Sequence, residues 1–243
     1  MKTCFTLFIF LIAFTRLNAQ ETTGFPYNAG GFGNFYTGPS FYQIGGLRGY
    51  LESASLLNTS IPKRAGTIAG GEGFALLGRF LIGGGGFGEG VQRHTTDSAR
   101  LDISFGGGYF KAGYVVCYKN DNFCFAYCGI GWGNLNAHLE NLSNENSIVF
   151  NRRVPLGPGF KRDYSLAFNF YDLGVSCKHL FVSSEQTGDV GFMVGLDLGC
   201  NIMLPTGDWL ADEDEVVSGP PVPRASLNPY LRLTIGGGGF SVK

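Results

Sequence analysis

Between Asp189 and Leu204 the chain alternates with a period of two. Val190, Phe192, Val194, Leu196, Leu198, Cys200, Ile202 and Leu204 share one parity. Gly191, Gly195, Asp197, Gly199 and Asn201 share the other, with Met193 and Met203 as exceptions. A strand turns successive side chains to opposite faces, so the stretch predicts a long strand with one greasy face and one small or polar face. It outruns the roughly five or six residues of an average soluble strand. It reaches the roughly 9–11 residues that a tilted strand needs to cross a bilayer. A soluble barrel with its greasy face turned inward would alternate in the same way, so the period alone leaves two readings open.

Other segments alternate but switch phase. Leu101, Ile103 and Phe105 share a parity, and after Gly106–Gly108 the apolar residues Phe110, Ala112, Tyr114 and Val116 take the other. Tyr164, Leu166, Phe168 and Phe170 give way in the same manner to Tyr171, Leu173, Val175 and Cys177. Each switch predicts either a β-bulge or a passage of the strand from bilayer to rim. Glu72 shares the parity of Phe74 and Leu76 and should not face lipid. Either a bulge at Gly70-Gly71 corrects its phase or it lies outside the membrane.

The links between strands add topology. Short ones fall at Leu77-Gly78-Arg79, at Lys119 to Asn122, where Asn and Asp suit a tight hairpin, and at Ser183 to Gly188. Long polar ones fall at roughly Gly38 to Gly66, Glu89 to Ala99, Ala137 to Arg162 and Pro205 to Ser226. Long and short links alternate, and four long with three short require eight strands with both ends on the short-turn side. The first strand belongs between Tyr27 and Phe41, with Gly30 to Tyr36 the best candidate. Phe80 to Phe87 and Leu233 to Phe240 echo each other, each with four glycines between an Ile and a Phe, as expected of strands crowded on one face.

Composition supports strands over disorder. Glycine is abundant, 39 of 243 residues, but aromatics reach 14%, and disordered chains are poor in them. Charged residues make up 15%, below the usual quarter of a soluble domain, and a net charge of −1 provides no field for nucleic acid. Met1-Lys2-Thr3, the apolar run Cys4 to Phe14 and the closing Arg16 to Gln20 read as a signal peptide over 1–19. Leu17 is large for the cleavage rule, and Cys4 lies inside the apolar run, which argues against a lipid anchor. The remaining 20–243 suit one domain.

With its signal segment, its dyad-repeat strands and its closing strand Asn228 to Phe240, the chain resembles the small outer-membrane barrel proteins of Gram-negative bacteria. The resemblance covers nearly all of 20–243 and is architectural. It implies an all-β, antiparallel up-and-down transmembrane β-barrel in the outer membrane, surrounded by outer-membrane lipid. It also implies recognition by the barrel-assembly machinery through a terminal aromatic, here Phe240, displaced by Ser241-Val242-Lys243.

Candidate chemistry is sparse. Gly83 to Gly88 satisfies G-x-G-x-x-G, but no helical pattern follows, so crowded strand glycines explain it and no cofactor is expected. His94 and His138 fall in expected outside loops and His179 near the opposite end. Some barrels of the kind the chain resembles are lipid-modifying enzymes or proteases that use a His with Ser or Asp at the outer rim. That resemblance would give such a role to His138 beside Glu140 or His94 near Asp97 and Ser98; solvated loop histidines are the simpler reading. Asp208 to Val217 is an acidic loop with Trp209 in it. Tyr114, Tyr118, Phe123, Tyr127, Trp132, Tyr171 and Tyr230 could form interfacial girdles. Of the six cysteines, Cys117, Cys124, Cys128, Cys177 and Cys200 follow the signal segment; Cys117 and Cys124 would oppose each other across the Asn120-Asp121 turn.

Asp102, Lys111, Asp172, Asp197 and Arg232 are the best-motivated set, because they fall on the non-lipid parity of their segments. An eight-strand interior is filled by side chains, and charges there must pair. They are expected to form an interior charge network that plugs the barrel, with an Asp197–Arg232 contact between neighbouring strands. The expected function is non-enzymatic: a membrane scaffold or a surface protein presenting loops. The alternatives are a soluble secreted β-barrel holding a small apolar ligand and an outer-leaflet lipid-modifying barrel enzyme.

Overall fold

The computed structural model describes residues 25–40, 66–95, 97, 99–143, 156–185, 188–212, 215–217 and 225–242. The expected signal segment 1–19 and Ser98 lie outside them. Ten strands are present among the described residues: β1 (Tyr27–Ser40), β2 (Gly66–Leu77), β3 (Phe80–Thr95), β4 (Ala99–Lys119), β5 (Asn122–Asn141), β6 (Lys161–Glu185), β7 (Gly188–Pro205), β8 (Trp209–Ala211), β9 (Glu215–Val217) and β10 (Ser226–Val242). Eight of them pair antiparallel in the order β5-β4-β3-β2-β1-β10-β7-β6, and β5 pairs with β6 to close the barrel. The eight-stranded all-β barrel read from the link count is therefore the fold. β8 and β9 form a small hairpin that extends the wall along β6 above the end of β7.

Tight turns join the strands at one rim. Gly78 sits at φ +58°, and Asn120 and Asp121 both take positive φ, which matches the right-handed twist of the flanking strands. β1 contains the expected Gly30–Tyr36.

The greasy parity of β7 faces outward: Val190 is 52% and Leu196 55% exposed, while Asp197 and Asn201 are buried. Phe35, Leu77, Phe80, Ile82, Phe110, Ile130, Trp132, Tyr171, Leu173, Phe181, Phe192, Leu231 and Leu233 continue an exposed apolar belt around the wall. On β6 the belt runs from Tyr171 to Phe181, a length that spans about 25 Å of height at an ordinary strand tilt.

Both phase switches are rim crossings, not bulges. β6 pairs with β5 without a break from Asn122↔His179 to Glu140↔Lys161. Tyr164, Leu166, Phe168 and Phe170 point inward and Tyr171 and Leu173 outward on one regular strand. Above the belt the wall outside is polar and the core lies inside, as in a soluble barrel. Within the belt the outside is the apolar face. β4 behaves identically, with Leu101 and Phe105 inside and Phe110 outside.

That rule corrects the reading of Glu72. It is inside with Phe74 and Leu76, the β1–β2 register is continuous, and no bulge at Gly70-Gly71 exists. The bulges lie elsewhere, at Tyr27/Ala29, Glu89/Gln92 and Val115/Cys117.

The segment Glu89 to Ala99, expected as a long loop, is mostly strand: β3 runs to Thr95 and β4 begins at Ala99. β5 likewise reaches Asn141 before β6 starts at Lys161. Polar composition suggested loops, but there the outward residues pair in charged ladders across strands. Arg93 holds Asp102 through two bonds of 2.8 and 3.0 Å, and Glu140 bridges Arg100 at 2.8 Å and Lys161 at 3.0 Å.

The hydrogen bonds from Arg93 hold the Asp102 carboxyl below the usual range, and Lys161 does the same for Glu140. Folded values depressed in this way stabilise above the ordinary carboxylate pKa of about 4 and lose that contribution as pH falls through the lowered values. Unfolding midpoints are thus expected to fall for this reason only below about pH 4. Arg93→Gln should shrink that acid-sensitive part. A midpoint whose acid dependence is the same in Arg93→Gln and wild type would contradict it.

Large inward side chains lie across glycines on neighbouring strands. A Cβ at Gly131 would meet Gly108 O at 2.6 Å as well as the Phe170 ring, and one at Gly174 would meet the Tyr127 hydroxyl at 2.5 Å. These glycines are spaces for rings, which is why glycine and aromatics recur together.

Candidate functional site

The lumen is filled in three levels. At the short-turn end Phe25, Phe32, Phe74, Leu76, Leu81, Val115, Phe123, Phe125, Leu180 and Phe240 pack together. At the other end Ile68, Phe87, Leu101, Phe105, Leu139, Phe168 and Phe170 form a second cluster, joined by Leu156 and Trp209 from the long links. Between them sit Glu72, Lys111, Asp172, Lys178, Asp197 and Arg232, all buried.

Lys111 is the hub of this layer. Its Nζ lies 3.2 Å from Glu72 Oε2 and 3.1 Å from Asp172 Oδ2, and above the rings of Tyr109 and Tyr127 at 4.4 and 4.5 Å. Tyr109 donates to Glu72 Oε2 at 3.0 Å, and Tyr230 donates to Asp172 Oδ1 at 2.6 Å. Asn34 donates to Glu72 Oε1 at 3.4 Å. Lys178 Nζ donates to Thr234 Oγ1 at 3.1 Å and lies 3.5 Å from Asp197 Oδ1, which also accepts from Ser176 Oγ at 2.6 Å. Three carboxylates and three cations thus share a layer walled off by apolar rings, with Lys111 and Lys178 in contact with the carboxylates. Charges so deeply placed hold only when mutually compensated and hydrogen-bonded.

Four of the five residues expected inside, Lys111, Asp172, Asp197 and Arg232, belong to this layer. Asp102 does not: it lies on the outward face above the belt, bonded to Arg93. No bulge interrupts β4 between it and Lys111, so the two differ in parity and face opposite sides.

The Asp197–Arg232 contact is also corrected. The two are cross-strand partners, yet the Asp197 carboxylate goes to Ser176 and Lys178. The Arg232 guanidinium instead lies against the rings of Tyr230 at 3.7 Å and Tyr36 at 4.6 Å, with Nε and Nη1 unbonded.

Glu72 and Lys178 join the network without having been expected there. Lys178 shares the polar parity of Asp172 and Ser176, so its signal was present. Glu72 was masked by its apolar parity mates. Tyr127, Tyr230, Tyr118 and Phe123 are interior residues, whereas Tyr114, Trp132 and Tyr171 are outside, so the aromatics divide between lumen and wall.

Among the other candidates, His138 Nδ1 lies 2.6 Å from Asp163 Oδ1 on the outer wall, and Glu140 is taken by Arg100 and Lys161. The side chain of His94 lies outside the described residues. His179 meets Asn122 at 3.1 Å near the short-turn rim. In the acidic loop Asp212 bonds Arg162 at 2.8 Å, and Trp209 is buried in the upper cluster. Among the described residues no group of three metal-ligating side chains converges. Cys124 is disulfide-bonded to Cys177, not to the opposed Cys117.

The sequence matches no protein-family model and no curated protein. Among solved structures it is similar to the outer membrane protease OmpT from Escherichia coli, at 8% identity and a TM-score of 0.34, over 92% of this chain and 99% of that one. A likeness of that degree carries no residue role from one chain to the other.

Proposed function

We propose that this chain is a non-enzymatic outer-membrane barrel: a sealed membrane scaffold whose upper half stands above the bilayer and presents the long links. The filled lumen carries this reading. A charged layer lies between two packed ring clusters along the axis, and Trp209 and Leu156 add to the upper one. The apolar belt is the surface that lipid requires, and the paired polar ladders above it suit water and headgroups. Outer-membrane lipid and the barrel-assembly machinery are then its partners, the latter engaging the closing strand that ends near Phe240.

Reconstitution into planar bilayers tests the seal. The expected result is baseline current at moderate voltage; stable stepwise conductance from the folded wild-type protein would overturn the scaffold reading. The soluble ligand-binding alternative needs the greasy faces inside, and the outward β7 parity speaks against it.

A further inference from the structure

Three cysteines stand in a row across three neighbouring strands. Cys117 on β4 is the cross-strand partner of Cys124 on β5, which is the partner of Cys177 on β6. All three face outward, since Phe123 and Phe125 beside Cys124, and Ser176 and Lys178 beside Cys177, are buried, and Tyr118 beside Cys117 packs on the inner cluster. The bulge at Val115/Cys117 creates this row. Without its extra residue, the register that pairs Val115 with Phe125 would continue, placing Cys117 opposite Phe123 and turned inward. Cys124–Cys177 is the disulfide, and Cys117 is a free thiol.

We propose that Cys117, Cys124 and Cys177 form a disulfide-exchange site in which the cross-link moves between two adjacent strand pairs. Exchange proceeds by attack of a thiolate on a disulfide sulfur, with entering, central and leaving sulfurs nearly in line. Cys117 lies on the side of Cys124 opposite Cys177, which is the direction such an attack requires. Directly opposed strand residues have Cα atoms about 4.5–5.5 Å apart. That separation falls within the roughly 4.4–6.8 Å that disulfides span, so a Cys117–Cys124 bond needs no strand movement.

The step balances within the protein. Cys117 loses its proton to water and its thiolate attacks Cys124 Sγ. The Cys124–Cys177 bond breaks, its electron pair leaves on Cys177 Sγ, and that thiolate takes up a proton. One disulfide and one thiol remain, and no oxidant or reductant is consumed. The row lies toward the polar short-turn edge of the belt: Cys124 is two residues from Asn122, and Cys177 two residues from His179, which meets Asn122 at 3.1 Å.

The two cross-links differ in what they hold. Cys117 and Cys124 enclose one local hairpin, whereas Cys124 and Cys177 are separated by 53 positions and tie β5 to β6 across a long link. Short loops close at lower entropic cost, so the hairpin bond forms first, and exchange transfers it once β6 has paired.

The test is slow alkylation of the folded, detergent-solubilised protein with N-ethylmaleimide at mildly alkaline pH, without reductant, followed by peptide mapping. The expected result is label on Cys177 as well as Cys117, none on Cys124, and a Cys117–Cys124-linked peptide growing with the Cys177 label. Cys117→Ser should abolish the Cys177 label. Label that never reaches Cys177, or that reaches it equally in Cys117→Ser, would overturn the proposal. A second variant, Cys177→Ser, folded by the criterion of heat-dependent gel mobility, should acquire the Cys117–Cys124 bond under oxidised glutathione. Both thiols remaining free there would likewise overturn it.

Discussion

Lys111→Met is expected to destabilise the barrel by about 3–5 kcal/mol, the scale seen when one partner of a buried ion pair is removed. Lys111 faces Glu72 and Asp172 at 3.2 and 3.1 Å with its own side chain wholly shielded. Methionine fills a similar volume, so little packing is lost and the effect isolates charge. Glu72 and Asp172 then lose their shared cation in a layer closed above and below by aromatic rings, with Lys178 no nearer than 4.0 Å to Glu72. Water cannot screen them without opening one of the ring clusters. Adding Asp172→Asn to Lys111→Met should recover a large part of the loss, because one uncompensated carboxylate is then gone. Denaturant midpoints read from heat-dependent gel mobility would show it. A Lys111→Met barrel within about 1 kcal/mol of wild type would mean that the layer is hydrated, not sealed.

The second large effect separates two glycines by the face they occupy. Gly131→Val is expected to prevent closure or to cost well over the roughly 1–3 kcal/mol of ordinary overpacking, while Gly73→Val is expected to be tolerated. A Cβ at Gly131 would meet Gly108 O at 2.6 Å and strike the Phe170 ring, which is itself fixed in the upper cluster. A Cβ at Gly73 would find its closest atom, Phe32 O, at 3.8 Å and would point outward into the belt. There a branched apolar residue extends the apolar belt and suits strand geometry. Folded yields after refolding into detergent give the comparison. Equal yields for the two variants would remove the claim that the inner glycines are seats for rings.

Strand parity was legible because period two survives any environment, and eight strands followed from the alternation of link lengths. Which parity faces the core was not. On β6 the apolar side changes between Phe170 and Tyr171 without any change in backbone, since on one side of that point the apolar residues face the lumen and on the other they form the exposed belt. Asp102 and Lys111 show the consequence for the site. Both looked polar against apolar neighbours, but only Lys111 lies at a height where the polar side is the lumen.

The extent of the strands was hidden for a related reason. Arg93, Glu140 and Lys161 read as loop residues, whereas in three dimensions they pair across strands that continue above the belt, with Asp102, Arg100 and each other. The Asp197–Arg232 contact failed on competition. Lys178 and Ser176 reach the carboxylate, and the planar guanidinium finds two tyrosine rings. Neighbouring positions on paired strands say who is adjacent, not which of several adjacent groups bonds.

The exposed apolar belt is expected to lie in lipid, and Trp132 is placed to report on it. It is 55% exposed on the belt, while the other tryptophan, Trp209, is buried in the upper cluster. Trp209→Phe leaves Trp132 as the sole tryptophan. After reconstitution into vesicles with brominated acyl chains, its fluorescence should be blue-shifted and strongly quenched relative to unbrominated vesicles. A red-shifted emission that brominated chains leave unchanged, from a barrel still folded by its gel mobility, would contradict the account.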